Sequence, residues 1–322
     1  MKGESVWTPV DPLGEALHFL RMSGIFYCRS ELTAPWGLSL PAIERSLSFH
    51  VVTSGRCVME VEGREGHLVL EPGDLALVPH SDGHRLLSEE GVPALGIDEI
   101  PDELVSERYA LLRHGGGGAA TTLICGAVRF DHPSAHRLVS LLPRVIHMQA
   151  RSSPQLEWME STLRLMAAEA RALRPGGETV ITRLADILVV QAIRSWMDED
   201  PIARTGWLGA LSDPNIGRAL VLIHRDPTRP WTVESLAREA GMSRSVFSAR
   251  FTELVGEPAM HYVARWRMEV AVGWLRDERA GLGEVATRLG YQSEAAFSRA
   301  FKRFLGTSPG ALRRGESPRL RG

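Results

Sequence analysis

The stretch Gly290-Tyr291-Gln292-Ser293-Glu294-Ala295-Ala296-Phe297-Ser298-Arg299-Ala300-Phe301-Lys302-Arg303-Phe304 decides how the C-terminal third of this 322-residue chain is read. It opens on glycine, which accepts the left-handed backbone conformation of a sharp turn. Ser293 follows in the position of a helix cap. At about 100° per residue, Phe297, Phe301 and Phe304 form one buried face. Ala295, Ser298, Arg299 and Lys302 turn away from it. Just upstream, Leu282 to Leu289 predicts a shorter helix, in which Ala286 is small enough to let two helices cross closely. Helix, tight glycine turn and capped second helix make the helix-turn-helix pattern.

The same pattern stands 50 residues earlier. Val233 to Ala240 is the short helix with Ala237 at the crossing, Gly241 the turn, Ser243 the cap, and Phe247 and Phe251 the buried pair. Here Ser245, Ser248, Ala249 and Thr252 face outward. Each copy closes on a turn, Gly256-Glu257-Pro258 and Gly306-Thr307-Ser308-Pro309, and Met260 to Arg276 reads as a helix linking the two. Two recognition helices so joined can enter major-groove segments about one turn, ~34 Å, apart. One copy alone also fits a three-helix packing unit that binds nothing; two in tandem favour DNA.

Charge agrees with that reading. Residues 213–322 carry 18 basic against 12 acidic side chains, a net charge of +6 within a chain whose overall charge is −2. A basic end on an acidic body suits a polyanion partner. With 44% apolar and 24% charged residues the composition is that of a globular protein. No apolar run reaches the ~20 residues of a membrane-spanning helix, and the start lacks the pattern of a signal peptide. Three scattered cysteines, Cys28, Cys57 and Cys125, make no disulfide framework. The expectation is a cytoplasmic protein with no membrane partner.

Towards the N-terminus the period changes. Phe49 to Val52, Cys57 to Val61 and His67 to Leu70 read as strands separated by Ser54-Gly55, Glu62-Gly63 and Pro72-Gly73-Asp74, with a further strand over Thr121 to Arg129. Strands so spaced predict a small antiparallel barrel or jelly roll. The Gly115-Gly116-Gly117-Gly118 run lacks the Lys-Ser/Thr of a phosphate loop and reads as a plain loop. Residues 13–22 form a short amphipathic stretch. Ser134 to Met148, Pro154 to Leu173 and Glu178 to Met197 carry helical spacing, with Ile181, Leu184, Ala185, Leu188, Val189 and Ala192 in one stripe. Asp198 to Asp213 reads as an interdomain connector. The fold class is thus α+β and multidomain: an N-terminal antiparallel β barrel (1–132), a helical connector suited to dimerisation (133–212) and a C-terminal all-α domain with two helix-turn-helix units (213–322).

On these motifs, residues 214–312 resemble the DNA-binding domain of AraC/XylS-type transcription regulators. The phrases that carry the likeness are Gly290 to Phe304 with its closing Gly306-Thr307-Ser308-Pro309, and Trp231 to Ser245. The resemblance implies sequence-specific binding of double-stranded promoter DNA, regulation that is often activation, contact with RNA polymerase and a homodimer. Carried over by position, it puts Ser245, Ser248 and Ala249 of the first unit and Ala295, Ala296 and Arg299 of the second against the bases. Arg299 is placed for a guanine edge. Arg244, Arg250, Lys302 and Arg303 are phosphate candidates. Many members carry arginine where Ala249 stands, so the first unit is expected to contribute shape and phosphate contacts more than base reading.

The β region resembles the cupin-type sensor domain of one branch of that family, through Phe49 to Gly55, Pro72 to Pro79, His84 and Cys125-Gly126. The full ligand set of metal-binding cupins is not present: Ser48 stands where a glutamate is usual. His50, Cys57, His80, His84 and Cys125 are the residues that can converge on zinc, and half-buried strand positions are the competing reading. An oxygenase cupin needs more ligands than the sequence supplies, so no enzyme is expected. An interior lined by Trp36, Phe49, Val51, Met59 and Leu77 either takes an apolar small-molecule effector or is simply a filled core. Control by an effector or by redox state is the expected mode of regulation.

Overall fold

The computed structural model describes residue 14 and residues 22–44, 46–130, 138–150, 156–172, 174–276 and 280–313. The amphipathic stretch read over 13–22 lies almost wholly outside them. The chain divides into two compact units, one made of residues 21–131 and 136–199, the other carried by residues 200–322.

The first unit is built on β1 (Met22–Thr33), β2 (Gly37–Leu40), β3 (Ser46–Ser54), β4 (Cys57–Val61), β5 (Leu68–Leu70), β6 (Leu75–Val78), β7 (His84–Leu87), β8 (Leu95–Gly96), β9 (Asp102–Ser106), β10 (Tyr109–Gly115), β11 (Ala120–Phe130) and β12 (Ile146–Met148). They form a seven-stranded sheet, β12-β6-β3-β11-β1-β10-β9, and a five-stranded one, β5-β4-β7-β2-β8. The two sheets do not close into one barrel. They pack face to face as a cupin-like sandwich over Cys28, Leu32, Trp36, Leu38, Val52, Cys57, Met59 and Val78. Most pairings are antiparallel, but β1–β10 and β2–β8 run parallel. At the β3–β4 turn Gly55 has φ 72°, and a Cβ there would stand 2.4 Å from the Ala120 carbonyl oxygen, so the turn requires glycine.

Two readings of this unit need correction. The helix expected over Ser134 to Met148 is, within the described residues, one helical turn at Leu138 to Ser140 followed by the strand β12. Pro143 interrupts the helix, and β12 finds hydrogen-bond partners on β6, with Ile146 opposite Leu77 and Met148 opposite Leu75. Buried Asp74 holds the strand's end, accepting from His147 Nε2 at 3.0 Å and from the Ala150 amide at 2.8 Å. Burial pushes the Asp74 pKa up, but the hydrogen bonds from His147 and from the Glu71 and Ala150 amides outweigh it and leave the value below normal.

The lining of the interior also differs from expectation. Strand side chains alternate between faces, and with His50 and Val52 inward, Phe49 and Val51 fall on the opposite face. Leu77 likewise opposes inward Ala76 and Val78. That outer face is covered by α1 (Leu156–Ala172) and α2 (Gly177–Glu199): α1 packs on β3, α2 on β1 and β12. Ile181, Ala185, Leu188, Val189 and Ala192 are buried. The apolar stripe, which by spacing alone suits either a partner or this chain's own core, is here packed against the chain's own sheet.

The second unit is all helical: α3 (Gly206–Ser212), α4 (Pro214–Arg225), α5 (Val233–Glu239), α6 (Arg244–Val255), α7 (Ala259–Arg276), α8 (Leu282–Arg288), α9 (Glu294–Leu305) and α10 (Pro309–Arg313). The segment expected as a bare connector, Asp198 to Asp213, contains α3, whose Trp207, Leu208, Ala210 and Leu211 are buried and which packs on α4 and α6. Trp207 Nε1–H donates to Tyr262 Oη of α7 at 3.0 Å. Asp213 caps α4 through the amides of Asn215 and Ile216.

Candidate nucleic-acid interface

Each of the two helix-turn-helix units is held as its sequence demands. Ser243 Oγ accepts from the Val246 amide at 3.4 Å, and Ser293 Oγ from the Ala296 amide at 3.1 Å. Gly241 and Gly290 make the turns at φ 68° and 76°, and Gly256 and Gly306 end the second helices at φ 82° and 71°. The rings of Phe247 and Phe251 pack in a tilted arrangement 5.5 Å apart between centroids, and those of Phe297 and Phe301 likewise at 5.6 Å. The crossing residues Ala237 and Ala286 are buried.

The linking helix α7 belongs to both cores. Its first half offers Tyr262, edge-on to Phe251, and Trp266, stacked 4.1 Å from His224 of α4. Its second half supplies Met268, Ala271 and Leu275 to the cluster with Val285, Phe297, Phe301 and Phe304. Arg265 binds Glu257 (2.6 Å) and Glu269 (2.5 Å), and His261 pairs with Glu257 while its ring lies 5.1 Å from that of Phe304. Arg267 donates to the carbonyls of Pro227 and Arg229, each at 2.8 Å. The eighteen residues of α7 span about 27 Å at 1.5 Å each.

On the outward faces the structure exposes Ser245, Ala249, Arg250 and Thr252 of α6 and Ala295, Arg299, Lys302 and Arg303 of α9, while Ser248 and Ala296 are half-buried. The charged candidates divide. Arg244 is paired with Glu234 of α5 at 3.0 Å. Arg250 reaches Asp213, the cap of α4, at 3.2 Å and Glu253 at 3.1 Å. Arg250 is thus a clamp between α4 and α6. In α9, Arg299 and Lys302 make no ion pair with another described residue, and Arg303 lies 5.0 Å over the Phe304 ring. Sequence reasoning missed the Asp213 contact, which joins residues 37 apart. It also passed over Val246, which is 55% exposed on α6.

The metal candidates of the β unit come together only in part. His50 and His84 meet Nε2 to Nε2 at 2.7 Å inside the sandwich. His84 Nδ1–H donates to the Asp82 carbonyl at 2.7 Å. His84 Nε2 therefore accepts from His50 Nε2–H, and His50 Nδ1 is left as a buried acceptor with no partner among the described residues. Burial, and the neighbouring His84, hold the His50 pKa well below its ordinary value; burial lowers that of His84. His80 turns away to the Leu142 carbonyl. Cys57 and Cys125 sit in the apolar core with Cys28. Burial, with a smaller effect of Asp74, pushes the Cys57 thiol up to about 12, and burial, with smaller effects of Cys28 and Cys57, raises Cys125 well above the ordinary thiol range. Among the described residues no three histidine, cysteine or acidic side chains are grouped to hold a metal ion. On the same unit a cleft of about 670 Å³ is lined by Ser39, Leu40, Glu60, Arg64, His67, Arg85 and His84.

Two helix-turn-helix units on one shared helix, the second with a basic outward face, define a double-headed DNA-binding transcription regulator. Comparison with known proteins agrees. Residues 11–198 match the cupin family model and residues 236–315 a helix-turn-helix domain model. The chain is 34% identical over 307 residues to an AraC-like transcription regulator of Streptomyces lividans, covering 95% of this chain and 98% of that one. It is 29% identical over 306 residues to the transcriptional regulator AlkR of Acinetobacter baylyi, covering 93% and 98%. A solved structure of the DNA-binding domain of AdpA with a target DNA matches 30% of this chain and 86% of that one at 32% identity, with a TM-score of 0.29. The chain belongs to the AraC-like family of transcription regulators, and it is a sequence-specific DNA-binding protein. No described helix is long and apolar enough to cross a membrane.

Proposed function

We propose that the cupin unit senses a small molecule and so sets how the two helix-turn-helix units engage promoter DNA. The supporting observation is His84, which lines the 670 Å³ cleft and also bonds the buried His50. A ligand that rearranges His84 changes the hydrogen bonding of the core, where an unmatched acceptor is costly. The three buried cysteines, with thiols driven away from the thiolate, favour an effector over a redox signal. In this reading Arg299 reads a guanine edge, Lys302 and Arg303 hold phosphates, and Ala295 and Ala296 let the groove approach. Ser245, Ser248 and Ala249 face the bases from the first unit. Arg244 and Arg250 reach phosphate only by giving up their ion pairs. The regulator works in the cytoplasm as a homodimer beside RNA polymerase and catalyses no reaction.

The test compares DNA affinity of the full chain and of residues 200–322, which keep α3 in the core of the second unit, with and without candidate effectors, alongside a His84→Ala variant. A ligand that shifts the affinity of the full chain, leaves the fragment untouched and fails with His84→Ala supports the proposal. Identical DNA binding by chain and fragment under every ligand condition overturns it.

A further inference from the structure

We infer that Val246 is a specificity-determining residue of the first unit, reading the 5-methyl group of a thymine in the major groove. The inference rests on sequence-specific DNA binding and adds a residue that positional likeness to the family does not assign.

Val246 is the third residue of α6, and the N-terminal residues of a recognition helix are those that meet base edges. Its side chain is 55% exposed although apolar. A solitary exposed valine is ordinary on a protein surface; here the surroundings narrow what it can do. Its amide is already bonded to Ser243 Oγ, so the residue offers only its two methyl groups. Ser245 and Ala249 on one side of it are exposed and short and leave that side open to a base edge, while Arg250 and Glu253 stand one and two turns further along the helix. The arginines that would compete for that edge are turned aside, Arg244 to Glu234 and Arg250 to Asp213 and Glu253. A β-branched side chain is held to one rotamer in a helix, so the methyls stand in a fixed place at little entropic cost. The base feature that matches an apolar, donor-free and acceptor-free tip is the thymine methyl, the one apolar group on a major-groove edge. The exposed apolar surface is one side chain wide, flanked by Ser245 and Glu253, which suits a methyl group and not a protein partner.

The experiment uses the full chain and a high-affinity duplex selected with it. Each thymine of the site is replaced in turn by deoxyuridine, which removes the methyl and keeps the pairing. Dissociation constants are measured at one salt concentration for the natural protein and for Val246→Ala, with truncation of another exposed apolar side chain, Leu104→Ala on β9, as the control. At one or two positions deoxyuridine is expected to weaken the natural protein about three- to fivefold, the scale of one buried methyl group. Val246→Ala should lose a similar factor on the unmodified site and nothing further at those positions, while Leu104→Ala keeps the sensitivity. Because Val246 is exposed, the variant's melting curve should match that of the natural chain. Equal deoxyuridine costs in both proteins at every position overturn the assignment. Selection that yields no preferred duplex instead removes sequence-specific binding itself, and the inference with it.

Discussion

The helices α6 and α9 are both twelve residues long, both begin after a capping serine, and both bury two phenylalanines four residues apart. Outward they differ. On α6 the arginines are bound to acids of the same unit and the free surface is serine, alanine, threonine and one valine. On α9 Arg299, Lys302 and Arg303 are exposed. The inward face of each helix answers to the same packing problem, so the two copies stay alike there. In the reading proposed above the outward face answers to DNA, which leaves each copy free to specialise: α9 towards charge and guanine, α6 towards shape and apolar contact.

The largest expected effect tests the inward likeness. Phe247→Ala and Phe297→Ala should each cost about 3–5 kcal/mol of stability, as buried aromatic truncations do. Denaturant melts that show one of them to be nearly neutral would break the equivalence of the two cores. The outward difference is sharpened by Arg299→Ala, which should cost ~1–3 kcal/mol in binding and relax preference at one base pair. Competition with single-base variants reads this directly, and equal losses on specific and random duplex would reassign Arg299 to phosphate. The caps come next: Ser243→Ala and Ser293→Ala should each lose roughly 1 kcal/mol of stability, with the longer bond at Ser243 giving the smaller loss. The smallest effect is in the salt dependence. Lys302→Ala should lower the slope of log affinity against log salt by about 1, whereas Arg250→Ala should barely move it because that guanidinium already faces Asp213 and Glu253. An equal change in both slopes would mean that Arg250 abandons its clamp on DNA.

The helix-turn-helix units were legible in the sequence because everything that builds them is local: a glycine turn, a capping serine three residues before the amide it accepts from, and phenylalanines one turn apart. What escaped was non-local. Ile146 to Met148 reads as helix by spacing but is a strand because β6 offers it partners some seventy residues away. Alternation along β3 separates Phe49 and Val51 from His50 and Val52, yet cannot tell which set faces the other sheet when both faces are buried. The same holds for Trp207, Leu208 and Leu211, whose short helix has meaning only through α4, α6 and Tyr262. At the interface, the ion pair of Arg250 with Asp213 was not legible because that acid lies beyond any helical spacing. Val246 was passed over because an apolar residue in a helix beside phenylalanine is ordinarily core. Of the metal candidates His50 and His84 were brought into hydrogen-bond contact and Cys125 was set across the strand from His50 and near Cys57, while His80 was turned away, since strand pairing and sheet packing, not the order of residues, decide which side chains meet.

Because α7 is built into both cores and braced by Arg265 and Arg267, it sets the spacing of the two helix-turn-helix units, and in the reading proposed above the protein acts on DNA as a ruler. A promoter that gains or loses one base pair between its two elements rotates one of them by about a tenth of a helical turn away from its head. The mismatch then falls on the DNA, which has to twist or bend to restore register, at a cost that depends on how pliable the intervening steps are. Base pairs that no side chain touches are thereby placed under selection, and the spacer becomes as much a part of the recognised sequence as the letters on either side of it.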